Sequence, residues 1–204
     1  MFIGKYMKNV SKEYVDHGIN ILRFDCFREK SRQVITSSRL VPGKNIESII
    51  RIYSKLIKIE GFEDIKMLIA GDGMSRKDLE TLVEKLNLQD KVIFLGFLKQ
   101  KDLNEFIKRS YVFMINTLLD LNMLSIPESI VSGTPVVTNL LPASADYIVK
   151  EKLGIAKDNW DEYDLKEIIE NNPVYVDNCI NYRDKLTNSH SAKKIVDIFT
   201  GEVD

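Results

Sequence analysis

The feature that most constrains this chain is a regular alternation of short apolar runs with longer segments of helical periodicity, which begins at Gln33. Such alternation is typical of strand–helix–strand units that build a parallel sheet with helices on both faces. The predicted strands are residues 34–37, 65–70, 92–95, 111–115, 135–138 and 154–156. The sequence therefore predicts an α/β fold with a doubly wound parallel sheet of about six strands and additional C-terminal helices.

Helix signals fill the segments between these strands. Asn45 and Ser75 are predicted to cap the first two helices, and Asp102 to begin a short third one. The acidic run "DNWDEYD" at 158–164 is interpreted as a solvated helix start, and Pro173 is expected to separate that helix from two final ones. We expect residues 1–32 to form a connector, 33–158 the sheet domain and 159–204 the C-terminal helices.

Composition limits the classes of partner. Lys and Arg total 29 against 30 Asp and Glu, for a net charge of −1, so no global field attracts nucleic acid or an anionic membrane. Any anion site must be local. Two cysteines without a signal peptide favour a reducing cytoplasm, and no apolar run approaches the roughly 18 residues of a membrane span. Membrane contact is therefore expected to be peripheral at most.

Unusual residues follow the first and fourth predicted strands, where a doubly wound sheet binds its ligands. Arg39 and Lys44 flank a Pro-Gly turn after the first strand, and a helix predicted to begin at 122–125 follows the fourth. Two cations and a helix N-terminus predict a phosphate or diphosphate site. Asp120 and Glu128 lie before and within that helix, and two acids flanking a diphosphate suit the two sugars of a nucleotide sugar.

Four segments resemble, in order and spacing, the C-terminal donor-binding domain of a GT-B glycosyltransferase of family 4 (group 1). They are "SSRLVPGKN", "LIAGDG", "KVIFLGFLKQKDLNEFIKRSYVFM" and "DLNMLSIPESIVSGTPVV". The resemblance as a whole covers residue 34 to about 155. The resemblance implies one Rossmann-like half of a GT-B fold.

The resemblance also implies roles for individual residues. Arg39 and Lys44 are expected to contact the donor diphosphate, Glu128 the ribose, and Asp120, one methylene shorter than the family's Glu, the transferred sugar. Asp120 should then affect only sugar-bearing donors, whereas Glu128 should affect the bare nucleotide as well. The other positions implied to line the donor site are Gly71, Phe97, Leu98, Asn122, Met123 and Leu124.

The implied activity is retaining, metal-independent transfer of a hexosyl residue from a nucleotide-diphospho-sugar to a glycan or lipid-linked acceptor, without a cofactor. The family's N-terminal acceptor domain is not recognised in this chain, so we expect it in cis or as a partner chain. The alternative is a non-catalytic or split subunit that binds donor or partner without turnover alone. A nucleotide-sugar epimerase would need general acid and base residues in the crevice, and the sequence offers none. Nicotinamide binding is disfavoured because Arg76 stands where the dinucleotide-binding fingerprint has its third glycine. His17 and His190 are interpreted as surface residues.

Overall fold

The computed structural model describes residues 15 and 17–200. Six strands form one parallel sheet in the order β3-β2-β1-β4-β5-β6. The strands are β1 (Gln33–Ser37), β2 (Lys66–Ala70), β3 (Val92–Gly96), β4 (Phe113–Met114), β5 (Val136–Thr138) and β6 (Gly154–Ala156). This order confirms the predicted α/β class and the doubly wound parallel sheet, with its reversal between β1 and β4.

Eight α-helices connect and follow the strands within the described residues. They are α1 (Ile46–Leu56), α2 (Arg76–Lys85), α3 (Gln100–Ile107), α4 (Ser125–Val131), α5 (Ala145–Lys150), α6 (Glu162–Glu170), α7 (Asn172–Tyr182) and α8 (Asn188–Thr200). Pro173 lies in the first turn of α7, where its missing N–H costs no hydrogen bond, so the predicted break between α6 and α7 is confirmed.

The core has one hydrophobic cluster on each face of the sheet, because neighbouring side chains of a strand point to opposite faces. Val34 belongs to the cluster that contains buried residues of α1, α2 and α6. Ile35 belongs to the cluster that contains those of α4 and α5, together with Ile19 and Phe24 from before the sheet. Both faces of the sheet are therefore covered, as a parallel sheet requires.

The described part of the connector packs against the sheet domain and the C-terminal helices. The Ile19 amide donates to the Leu186 carbonyl at 2.8 Å, and Arg183 Nη2 donates to the carbonyls of Ile21, at 2.7 Å, and Phe24. Lys30 Nζ donates to three acceptors near the ends of α3 and α4. Residues 17–30 thus share a core with the sheet, while residues 1–14 and 16 lie outside the described part.

Three predicted helix starts are wrong in detail. Asn45 precedes α1 but makes no capping bond, because it ends a 3₁₀ turn (Pro42–Lys44) in the left-handed conformation, φ 49° and ψ 39°. Ser75 precedes α2 already in helical conformation, whereas a capping side chain needs an extended residue. The third helix begins at Gln100 rather than Asp102, with extended Lys99 before it.

The fourth strand is shorter than predicted. Phe113–Met114 has strand geometry, whereas the sequence predicts 111–115. The backbone nonetheless bonds to the neighbouring strands beyond both ends, from the Tyr111 amide to Gln33 O at 2.8 Å and from the Ile115 amide to Val137 O at 2.9 Å. The segment therefore occupies the predicted central place in the sheet.

Candidate functional site

The loops after β1 and β4 are joined at the carboxyl edge of the sheet. The Leu118 amide donates to the Gly43 carbonyl at 2.8 Å, and Thr117 Oγ1 lies 3.3 Å from the same carbonyl oxygen. Because β1 and β4 are neighbours, these contacts hold the basic loop 39–44 against the acidic loop 117–120. The two loops that carry the unusual residues therefore meet at the carboxyl edge of the sheet.

Lys44 and Asp120 form an ion pair across these loops. Lys44 Nζ donates to Asp120 Oδ2, and the Thr117 hydroxyl donates to the same oxygen at 3.2 Å. The hydrogen bond from Lys44 holds the pKa of Asp120 below its usual range, and the positive charge of nearby Arg39 acts in the same direction. Arg39 itself is exposed. The site thus contains an ionised carboxylate that the positive charges of two cations stabilise.

Glu128 lies in a different environment. Its side chain is partly buried on α4, and burial raises its pKa, an effect that a hydrogen bond from Gln100 partly offsets. Gln100 Nε2 donates to Glu128 Oε1 at 2.6 Å. Because Gln100 is the first residue of α3, this bond connects Glu128 to the end of the loop that contains Phe97 and Leu98. The acid and that loop therefore lie on the same side of the crevice.

A cavity of about 250 Å³ lies at the carboxyl ends of β1, β2 and β3. It brings together four of the residues singled out by sequence, and its lining is Ser37, Ser38, Arg39, Ala70, Gly71, Asp72, Phe97, Leu98 and Leu103. Lys44 and Met123 border a much smaller gap that shares Ser37 and Ser38 with this cavity. Phe97 is 81% exposed, so its ring is available to a ligand. A larger groove of about 390 Å³ near α1 and α2 includes Val41 and Pro42 of the basic loop but contains none of the predicted site residues.

Gly71 allows the loops to approach each other. Its φ of 122° is unfavourable for a side chain, and a Cβ there would lie 1.8 Å from the Ser38 carbonyl oxygen. Its amide donates to Gly96 O at 2.7 Å. The residue therefore shapes the cavity through its backbone.

The segment from Asn122 to Leu124 leads into α4, which begins at Ser125 as predicted and has seven residues. Leu124, 50% exposed, precedes the helix without a side-chain capping bond, and Pro127 removes one amide from the first turn. Asn122 Nδ2 lies 3.0 Å from His17 Nε2. His17 is exposed, yet it reaches a candidate site residue, which the sequence interpretation missed.

Sequence reasoning also missed Gln100 and Thr117. Gln100 lies within a recognised motif and Thr117 between two of them, and neither spacing nor composition indicates that they bond to Glu128 and Asp120. No group of three or more His, Cys, Asp or Glu residues in the described part of the chain could hold a metal ion. Within the same residues, every helix is too short or too polar to cross a bilayer.

The sheet order, with its reversal between β1 and β4, defines a Rossmann-like α/β domain. The family model described as "Glycosyl transferases group 1" matches residues 20–181. The chain therefore belongs to the group 1 glycosyltransferases.

Curated relatives agree with this assignment. The chain is 24% identical over 179 residues to the alpha-monoglucosyldiacylglycerol synthase of Streptococcus pneumoniae. The aligned region covers 80% of the chain and 40% of that relative. The chain is 30% identical over 111 residues to one subunit of the human phosphatidylinositol N-acetylglucosaminyltransferase, covering 54% of the chain and 22% of that protein. The chain thus spans less than half the length of these relatives.

Solved structures share the fold. Anabaena HepE in complex with UDP matches with a TM-score of 0.74 at 15% identity, covering 92% of this chain and 57% of that one. The pneumococcal O-GlcNAc transferase in complex with UDP and GlcNAc matches with a TM-score of 0.68 at 14% identity, covering 93% and 39%. At these identities the likeness shows the fold alone, a Rossmann-like α/β fold.

Proposed function

We propose that this chain is the donor-binding half of a retaining, metal-independent glycosyltransferase, which transfers a hexosyl residue from a nucleotide-diphospho-sugar to a glycan or lipid-linked acceptor. The observation that carries the proposal is the meeting of the basic loop 39–44 with the acidic loop 117–120 at the switch point, where Arg39 also lines a cavity at the carboxyl ends of β1, β2 and β3. Ligands of doubly wound sheets bind at this place.

In this proposal each part of the donor has its own protein group. Arg39 and Lys44 bind the diphosphate, Glu128 accepts hydrogen bonds from the ribose, and Asp120 contacts the transferred sugar. The base lies in the cavity against the loop that contains Phe97 and Leu98. The exposed ring of Phe97 offers it a stacking surface. The backbone from Asn122 to Leu124 borders the phosphates and the sugar.

The chemistry assigned to this half is stabilisation of the departing diphosphate. Arg39 and Lys44 supply positive charge where negative charge develops, which is the task that a divalent ion performs in metal-dependent transferases. The acceptor and any further acid or base belong to an N-terminal half, in cis or as a partner chain. The names of two relatives, which include diacylglycerol and phosphatidylinositol, support a lipid-linked acceptor. The enzyme would act in the cytoplasm, with peripheral membrane contact.

Calorimetry with UDP, GDP and ADP and their sugar conjugates tests the donor site. At least one nucleoside diphosphate should bind, Lys44→Met should weaken it at least about tenfold, the loss of one charge-assisted hydrogen bond, and EDTA should leave its affinity unchanged. No binding at millimolar concentration contradicts the proposal. A large effect of EDTA contradicts metal independence.

A sugar-transfer assay tests whether this chain needs an acceptor half for activity. Residues 1–204 alone should not transfer sugar, whereas the same residues joined to, or mixed with, an acceptor half should do so. The second candidate function is a non-catalytic subunit. It is supported by the name of the human relative, which is one subunit of its enzyme. That function predicts donor or partner binding without transfer even when both halves are present.

A further inference from the structure

Lys44 and Asp120 are bound to each other in the ligand-free protein, although the proposed function assigns them to different parts of the donor. We propose that Asp120 occupies the place on Lys44 that the donor diphosphate takes, so that nucleotide binding displaces the carboxylate from the ammonium. This inference rests on the proposed function and adds a conformational step to it.

The surroundings of the pair support a specific, exchangeable contact. The Lys44 side chain is only 14% exposed and that of Asp120 33%, so the ammonium is shielded from most solvent while the carboxylate remains near the surface. Thr117 Oγ1 both donates to Asp120 Oδ2 and accepts from the Asp120 amide at 3.1 Å, which fixes the carboxylate over Lys44. A shielded cation needs a counter-ion, and Asp120 supplies it in the absence of ligand.

Electrostatics requires the carboxylate to leave when phosphate arrives. A diphosphate bound to Lys44 would place its oxygens next to Asp120, and like charges at hydrogen-bonding distance repel. Displacement removes this repulsion and frees the carboxylate of Asp120 to accept hydrogen bonds from the hydroxyls of the attached sugar. Contact with the sugar would therefore follow binding of the phosphates, and the ion pair would lower the affinity for the bare nucleotide.

The expected effect differs from the one that the sequence alone predicts. If Asp120 contacted only the sugar, Asp120→Asn would not change the affinity for a bare nucleoside diphosphate. With the ion pair present, Asp120→Asn should bind the nucleotide about two- to tenfold more tightly, because Lys44 no longer has to be released. The sugar-bearing donor should not share this gain, since the variant also disturbs the sugar contact.

A double-mutant cycle tests this inference on whichever of UDP, GDP or ADP binds. Affinities are measured by calorimetry for the wild type, Asp120→Asn, Lys44→Met and the double variant. In the Lys44→Met background, Asp120→Asn should change affinity by less than about twofold, because the competition has gone. Asp64→Asn is the matched control: Asp64 pairs with Arg32 just before β1, at the other end of the strands, and its substitution should have no effect.

Each outcome separates the inference from the proposed function. Wild-type binding that Asp120→Asn leaves unchanged or weakens overturns the displacement alone, as does an equal gain in the Lys44→Met background. No binding by either wild type or Asp120→Asn overturns the proposed function and this inference with it. If the variant does not fold, a crystal structure of the wild-type nucleotide complex decides, because Lys44 should contact phosphate and not Asp120. A complex that retains the pair contradicts the proposal.

Discussion

The two carboxylates of the candidate site have opposite electrostatic environments at the scale of single residues. A hydrogen bond from Lys44 lowers the pKa of Asp120, whereas burial raises that of Glu128. The sequence could predict both acids because a known motif spaces them, but not their partners. Gln100 comes close to Glu128 only through the fold, since the two are 28 positions apart, whereas Thr117 is three positions from Asp120 and bonds to it within one loop.

Glu128→Gln should stabilise the ligand-free protein at neutral pH while weakening nucleotide binding. Because the folded pKa is raised, the folded state holds its proton more tightly, and the free energy of unfolding falls as the pH rises from 4.5 through the folded pKa. The variant removes this penalty, and the difference from wild type should vanish below pH 4.5. Urea denaturation across pH measures it.

The same variant should cost about 1–3 kcal/mol in nucleoside diphosphate binding, the penalty for a disturbed buried polar contact. Glu84→Gln, at an exposed position of α2, is the control that should change neither quantity. A variant that binds nucleotide as tightly as wild type would show that Glu128 does not contact the ribose.

Gly71→Ala should destabilise the protein more than Gly61→Ala does. Both residues have positive φ, 122° and 87°, so each substitution incurs backbone strain of about 1–2 kcal/mol. A Cβ at Gly61 meets nothing within 4 Å, whereas one at Gly71 lies 1.8 Å from Ser38 O, which adds about 1–3 kcal/mol of steric strain. Urea denaturation compares the two variants, and equal losses would show that the loops can move apart.

At the scale of elements, the alternating pattern predicted the place and type of every strand, because each is a short apolar run bounded by turn residues. Helix starts were harder to predict. Asn45 and Ser75 are residue types that cap helices, but the conformation of the preceding loop decides whether the side chain can reach an amide. Asp161 does form a reciprocal capping box with Asp164, so the acidic run that was interpreted as a helix start is one.

Substitutions at Asn45 distinguish its backbone role from a capping role. Because its φ is 49° and its side chain makes no capping bond, Asn45→Gly should be tolerated. Asn45→Ser should lower the free energy of unfolding by about 1 kcal/mol, because Ser adopts the left-handed conformation less readily than Asn. A capping role predicts the reverse order, since Ser caps helices well and Gly has no side chain. Chemical denaturation of the two variants measures the order directly.

At the scale of the whole molecule, the connector before the sheet is part of the folded unit. Contacts such as Arg183 with Ile21 O join residues 162 positions apart, and no local pattern in the sequence indicates them. Lys30 is the main polar anchor of this segment, donating to Lys108 O and Gly133 O, each at 2.8 Å, and to Thr134 Oγ1 at 3.2 Å. The ends of α3 and α4 are thereby tied to the connector.

Lys30→Met should therefore loosen the connector and reduce stability. The substitution leaves two carbonyls without their donor, at a cost of about 2–4 kcal/mol, whereas Lys91→Met removes one solvent-exposed bond to Glu63 O and should cost little. Amide exchange should accelerate at Ile19, which bonds to Leu186 O, more than at Met67 in the sheet. Equal acceleration at both amides would mean that Lys30 stabilises the whole fold rather than the connector.

The pH dependence gives Lys30 a second signature. Burial lowers its pKa from 10.5 to about 8, so between these values the unfolded chain holds a proton that the folded chain has released. The contribution of Lys30 to the free energy of unfolding should accordingly rise with pH through this window and fall as the pH drops through 8. Urea denaturation at pH 7 and pH 10 should show the wild type gaining stability relative to Lys30→Met. A constant difference between them would mean that the ammonium stays charged, held by its three acceptors.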